Sequence, residues 1–176
     1  MVDPVVAWVA RLALASVFAG AALHKWRDLG AFASAIAAHR LAPETAVGAL
    51  ARSFAAAETA VAAGLLVPAS AALAGGGAAA LLALYSGAIA INLARGRRDI
   101  DCGCSARPQP LSPGLLARNA LLAAAALPAA LPAAPRALVW VDALSAGAAL
   151  AGLAFVWLAA QALAFPARPA QLGRST

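Results

Sequence analysis

Cys102 and Cys104 are the only cysteines in the chain, and they stand one residue apart in the run Asp99-Ile100-Asp101-Cys102-Gly103-Cys104. Two sulfurs this close can share a disulfide, bind one soft metal, or pass electrons to a partner. Gly103 removes steric hindrance from the tight loop that a disulfide between them needs. Such a small ring is strained, and a strained, exposed disulfide is oxidising and labile. That suits a carrier of electrons better than a structural staple. Arg95, Arg97 and Arg98 precede the pair and favour the thiolate, the reactive form of cysteine. Asp99 and Asp101 act against them. A zinc site needs more ligands than two. His24 and His39 are the only histidines, and their spacing from the cysteines matches no familiar site. No metal and no cofactor are expected.

A second group of residues stands out because its surroundings are apolar. Glu58 lies in the middle of a long apolar stretch, where a carboxylate is expensive and by default a functional candidate. Arg11 lies in the first apolar stretch, at a similar depth if the two stretches are antiparallel neighbours. An Arg11–Glu58 pair is expected, structural rather than catalytic. Asn92 comes before the cysteine loop, and Arg118 and Asn119 follow it. Their side chains can hydrogen-bond and pin the loop to the bundle, and ordinary helix-end polarity explains them almost as well. Tyr85 is the only tyrosine.

The elements that position these residues must be membrane helices. Apolar residues make up 64% of the 176 and charged residues 11%, with a mean hydropathy of +0.83. A soluble domain carries about 25% charged residues. Five stretches are long enough to cross a bilayer as helices: 5–23, 46–67, 70–94, 115–134 and 137–165. Backbone hydrogen bonding in lipid requires them to be helical. The fold class expected is an all-α polytopic bundle, with four core helices and a fifth span, in one domain over 1–166. The segment 28–41 reads as an interfacial amphipathic helix capped by Asp28, with Lys25 and Trp26 at headgroup level. Gly75-Gly76-Gly77 reads as part of the turn between spans two and three, or as a close-packing point. The tail 167–176 reads as disordered. The N-terminus lacks the basic region of a signal peptide, so the first stretch is expected to remain as a span.

The net charge of +6, from 13 Lys and Arg against 7 Asp and Glu, follows from membrane topology rather than nucleic-acid binding. With five spans, one face carries Lys25, Arg27, Arg40, Arg95, Arg97, Arg98, Arg107, Arg118, Arg168 and Arg174. The opposite face carries only Arg136. Basic residues collect in cytoplasmic loops, so the cysteine loop is expected on the cytoplasmic side of a bacterial inner membrane.

Taken together, these residues resemble the MauE family of methylamine-utilisation proteins, within the broader DoxX-like redox-associated membrane proteins. The resemblance is carried by Arg11-Leu12 through Phe18-Ala19-Gly20, then Lys25-Trp26-Arg27-Asp28, Glu58, and Asn92 through Arg98. Its most specific parts are Asp99 through Cys104 and Arg118-Asn119. It covers roughly 5–130. Ser105 departs from the Phe-Gly that many relatives carry after the second cysteine. The resemblance implies a four-helix membrane core, thiol–disulfide chemistry, and a link to maturation of methylamine dehydrogenase, whose small subunit is disulfide-rich and exported.

The reading is a membrane thiol–disulfide oxidoreductase or electron relay. Cys102 and Cys104 cycle between dithiol and disulfide, Arg97, Arg98, Asp99, Asp101 and Gly103 support them, and a thioredoxin-like protein is the partner. The competing reading is a non-catalytic scaffold that recruits soluble redox enzymes to the membrane. A small-solute transporter is weaker, because no inverted repeats or matching broken helices are evident.

Overall fold

The computed structural model describes residues 1–103 and 109–164, with side chains described as far as Val156. Six α-helices follow one another: α1 (Pro4–Arg27), α2 (Leu29–His39), α3 (Glu44–Leu66), α4 (Ala71–Ala94), α5 (Pro113–Ala130) and α6 (Trp140–Ala164). A short 3-10 turn, Pro68–Ser70, joins α3 to α4. Among the described residues, β structure is limited to two isolated bridges, Val2 with Ala133 and Asp101 with Pro110. The protein is an all-α polytopic membrane protein. Four segments of the described chain are long and apolar enough to cross a bilayer: Pro4–Arg27, Glu44–Leu66, Pro68–Ala94 and Pro113–Ala130. The core between them is built from small residues and Leu14, Phe18, Leu65, Leu81 and Leu82.

Local chemistry sets the helix ends. The Asp3 carboxylate accepts from Val5 N at 2.8 Å ahead of Pro4, which needs no donor at the first helical position. Asp28 serves two helices at once. Its N–H closes α1 onto His24 O, and its carboxylate accepts from Ala31 N at 2.8 Å to open α2. α2 ends on Arg40, whose φ of 52° places a non-glycine residue in the left-handed region.

The stagger of α1 against α3 governs the rest. Trp26, at the end of α1, donates to Thr59 Oγ1 near the middle of α3. α1 therefore stops halfway along α3, and α2 continues alongside the N-terminal half. Phe32 of α2 meets Phe54 of α3 edge-on, with ring centroids 6.5 Å apart. The apolar face of α2 is turned into the protein, with Phe32, Ala35 and His39 buried.

The glycine triplet lies inside α4 rather than in a turn. The close-packing alternative describes two of its members. A methyl group on Gly75 would stand 2.7 Å from Ala130 Cβ, and one on Gly77 would stand 3.1 Å from Val61 Cγ2. Gly75 lets α4 approach the backbone of α5, and Gly77 makes room for the Val61 side chain of α3. α5 ends at Ala130, four residues earlier than the apolar run suggests, because Pro128 and Pro132 prevent further turns. The fifth apolar stretch forms α6, which starts at Trp140 and lies against α1.

Candidate functional site

A buried carboxylate organises the middle of the bundle. Glu58 and Lys25 are each 1% exposed, and Lys25 Nζ donates to both Glu58 oxygens at 2.8 Å. Tyr85 Oη donates to Glu58 Oε1 at 2.7 Å. Three donor contacts on one carboxylate fit its ionised form. The ammonium also lies 4.7 Å from the centre of the Phe32 ring and 5.5 Å from that of Tyr85. Three helices and α2 thus converge on one ion pair.

This corrects the expected Arg11–Glu58 pair. Roughly 21 Å of helix rise separates Arg11 from Lys25 on α1, and the stagger brings Lys25 level with Glu58. Arg11 is buried at the opposite end, where Nε donates to Ala129 O at 2.9 Å and Nη2 to Leu131 O at 3.3 Å. These are terminal carbonyls of α5, which lack donors of their own in the helix. Arg11 is therefore a helix cap. Lys25, expected at headgroup level, is an internal cation.

The cysteine loop closes the end of the bundle above this pair. Asn92, fully buried at the end of α4, donates from Nδ2 to Ala88 O at 3.0 Å and accepts from Arg97 Nη1 at 2.9 Å. Arg97 also donates to His39 O at 3.3 Å and Ala38 O at 2.7 Å, so one guanidinium joins the loop to the end of α2. Gly96, at φ +74°, turns the chain there.

Beyond it the loop folds back on itself. Cys102 N donates to Gln109 O at 3.0 Å, and Leu111 N to Arg98 O at 3.0 Å. Asp101 Oδ1 accepts from Gly103 N at 3.2 Å and from Gln109 N at 2.9 Å. Across the loop, Arg118 donates to Gln109 Oε1 at 3.3 Å and reaches Asn119 Oδ1 at 3.3 Å, and Asn119 Nδ2 donates to Ser86 Oγ at 3.3 Å. The structure thus joins Asn92 and Arg97 to α2 and α4, and Arg118 and Asn119 to the far strand of the loop and α4. Arg98 takes part through its carbonyl.

The thiol end of the loop is less open than its polar sequence suggests. Cys102 is 7% exposed and packs with Ile89, Leu111 and Leu115. Its sulfur is engaged in a disulfide. Gly103, at φ +69°, lies directly on α2. A methyl group there would stand 3.0 Å from Ala35 Cβ and 3.3 Å from the Phe32 ring. Phe32 therefore touches the loop on one side and the Lys25 ammonium on the other. Cys104, the second expected thiol, lies outside the described residues, as does Arg107. Among the described residues, no three His, Cys, Asp or Glu side chains gather as a metal site would require.

The family described as "Methylamine utilisation protein MauE" matches residues 3–132. The chain belongs to the MauE family. A MauE protein of Paracoccus denitrificans is 41% identical over 141 residues, covering 76% of each chain. One from Paracoccus versutus is 47% identical over 136 residues, covering 75% of this chain and 73% of its own. Another, from Methylophilus methylotrophus, is 44% identical over 110 residues, with 62% and 58% covered. No solved structure matches the chain.

Within this MauE chain, sequence reasoning missed Lys25 and Tyr85 as the partners of Glu58. One signal pointed to Lys25. Asp28 is a helix cap, so α1 had to stop there, and a lysine just before that stop can be covered by whatever follows.

Proposed function

We propose that this protein is a membrane thiol–disulfide redox protein whose working group is the Cys102–Cys104 pair, serving methylamine utilisation as its relatives' names indicate. The observation that carries the reading is the mounting of the loop. Cys102, already in a disulfide, is held by Asp101, Gln109 and Arg97 on a platform of α2, α4 and α5. A dedicated platform around a pair of adjacent cysteines suits repeated exchange with a partner, in which one thiolate attacks and the other resolves. In this reading the buried Cys102 resolves the mixed disulfide and Cys104 makes it. The partner is a thioredoxin-like protein, and the end served is maturation of a disulfide-bearing enzyme such as methylamine dehydrogenase.

The reading puts the loop end at the cytoplasmic face, and the balance of basic residues supports it. Three of its ten basic residues, Lys25, Arg97 and Arg118, already have internal partners. Arg27, Arg40, Arg95 and Arg98 still outnumber Arg136, which is itself held by Asp3 and Asp142.

The test is a trap. Cys102→Ser should leave Cys104 linked to its partner as a mixed disulfide recoverable from non-reducing gels, and Cys104→Ser should trap much less. Growth on methylamine that survives loss of both cysteines, with no trapped species, would favour a scaffold instead. A membrane-impermeant maleimide applied to intact cells and to inverted vesicles reads the side of the loop.

A further inference from the structure

A groove of about 470 Å³ runs between α1 and α3. Both of its walls belong to spanning segments, with Ala15, Ser16 and Ala19 on α1 and Ala62, Ala63 and Leu66 on α3. Ser16, Ala19, Ala63 and Leu66 are exposed, so the groove opens outward to the bilayer rather than into the bundle. Its two hydroxyls are already used. Ser16 donates to Leu12 O at 2.8 Å, and Thr59 donates to Ala55 O at 2.8 Å. What remains is apolar surface, which a hydrocarbon chain covers without stranding a polar group.

The end of the groove nearest the cysteine loop is different. Trp26 Nε1 donates to Thr59 Oγ1 at 3.1 Å, tying the two walls together. Directly beyond Trp26, α1 gives way to Arg27 and Asp28, both exposed. A tryptophan beside charged residues suits the level of lipid headgroups. Arg52 belongs to the same region. It stands seven residues before Thr59 on α3, about 10 Å of helix rise and close to two full turns, and so shares the face of Thr59, Ala63 and Leu66. It is exposed, and its Cα–Cβ bond leans toward the start of α3, away from the apolar floor. Among the described residues the ion pairs join Lys25 to Glu58 and Arg136 to Asp3 and Asp142, which leaves Arg27 and Arg52 without an acidic partner. Asp28 turns its carboxylate to Ala31 N instead.

We infer that the α1–α3 groove is a binding site for one anionic phospholipid. An acyl chain lies along the small residues of the two walls, Trp26 flanks the glycerol region, and the phosphate meets Arg52 with Arg27 beside it. The arginines decide the occupant. A helix from a second copy could cover the apolar floor but would leave the guanidinium of Arg52 without a counter-charge. A phospholipid brings the chain and the anion on one molecule. The site stands apart from the cysteine loop and does not depend on the thiol–disulfide reading.

The experiment uses the full chain in detergent. Phosphatidylglycerol or phosphatidylcholine with identical chains is added, and bound lipid is counted by native mass spectrometry. The wild-type protein should hold one phosphatidylglycerol per chain in preference to phosphatidylcholine. Arg52→Gln changes an exposed side chain and should reduce that preference about fivefold, the contribution of one arginine near an anionic headgroup. Ala19→Leu and Ala63→Leu, also at exposed positions, should fill the groove and displace both lipids. Melting temperatures near the wild-type value show that the variants are folded. Equal retention of the two lipids by the wild-type protein, or a preference that Arg52→Gln leaves intact, overturns the site. A wild-type dimer that Ala19→Leu converts to a monomer with its bound lipid unchanged would assign the groove to a second copy and overturn it as well.

Discussion

The two ends of the bundle use the same ionic chemistry in opposite surroundings. At the N-terminal end, Arg136 binds Asp3 at 3.0 Å and Asp142 at 2.7 Å, with the guanidinium 38% exposed. The pairing with Arg136 lowers the Asp3 pKa. Toward the other end, beneath the cysteine loop, Lys25 and Glu58 are each 1% exposed and Tyr85 completes their bonding. Exposed pairs are screened and lose side-chain entropy in forming, so they contribute little. A buried pair resists any change to one partner, because the survivor is left as an uncompensated charge. The N-terminal end can therefore tolerate variation. The loop end is a constrained polar assembly, and it is the end that carries the cysteines.

Removing Glu58 should have the largest effect. Glu58→Ala leaves the Lys25 ammonium buried without a counter-charge, a loss of about 3–5 kcal/mol in soluble proteins. The melting temperature in detergent should fall steeply. The Lys25→Ala, Glu58→Ala double variant should lose less than the two single variants together. Adding Arg11→Ala to Glu58→Ala should instead be additive, since those residues do not meet. Additivity with Lys25 would break the contrast between the two ends.

Arg97→Ala comes next. It removes three hydrogen bonds from one guanidinium, to Asn92, Ala38 and His39. Bonds to charged groups contribute about 1.5–3 kcal/mol each after exchange with water is counted. The expected outcome is a released loop more than an unfolded bundle. Cys102 in the reduced protein should become faster to alkylate, while the melting temperature falls less than in Glu58→Ala. Gly103→Ala acts on the same contact more gently. It combines a left-handed backbone, which costs about 1–2 kcal/mol for a residue with a side chain, with a methyl group pressed against Ala35 and Phe32. It should also loosen the loop, measured by the same alkylation.

Acid should distinguish the ends through His39. Its pKa is depressed in the folded state, so the unfolded chain binds the proton more readily. Stability is full above the ordinary histidine value of 6.5 and declines as pH falls below it. His39→Asn should flatten that decline. The smallest effect belongs to the exposed end. Asp3→Asn should leave the melting temperature nearly unchanged near neutral pH, and added salt should erase what change there is.

Much of the fold was legible because bilayer helices announce themselves by length. The four helices of the core and α6 fall where apolar stretches stand, and Asp28 marks the start of α2 by its capping chemistry. Register between helices was not legible. Arg11 and Glu58 look level when α1 and α3 are aligned end to end, and only the stagger set by α2 replaces Arg11 with Lys25. Gly75 and Gly77 read as a turn by composition, yet a glycine serves equally well where two helices touch. The loop residues Asn92, Arg97, Asp101, Arg118 and Asn119 were recognisable as a set because they flank the cysteines. The burial of Cys102 was not, since Ile89, Leu111 and Leu115 reach it from separate helices and strands of the loop.

The central claim is that the loop is a reversible disulfide on a fixed platform. Counting maleimide-reactive thiols on the purified wild-type protein, after reduction and again after mild oxidation, tests it most directly. The account predicts uptake at both Cys102 and Cys104 after reduction, slower at Cys102, and almost none after oxidation, through repeated cycles. Two thiols that stay reactive in the presence of oxidant would contradict it.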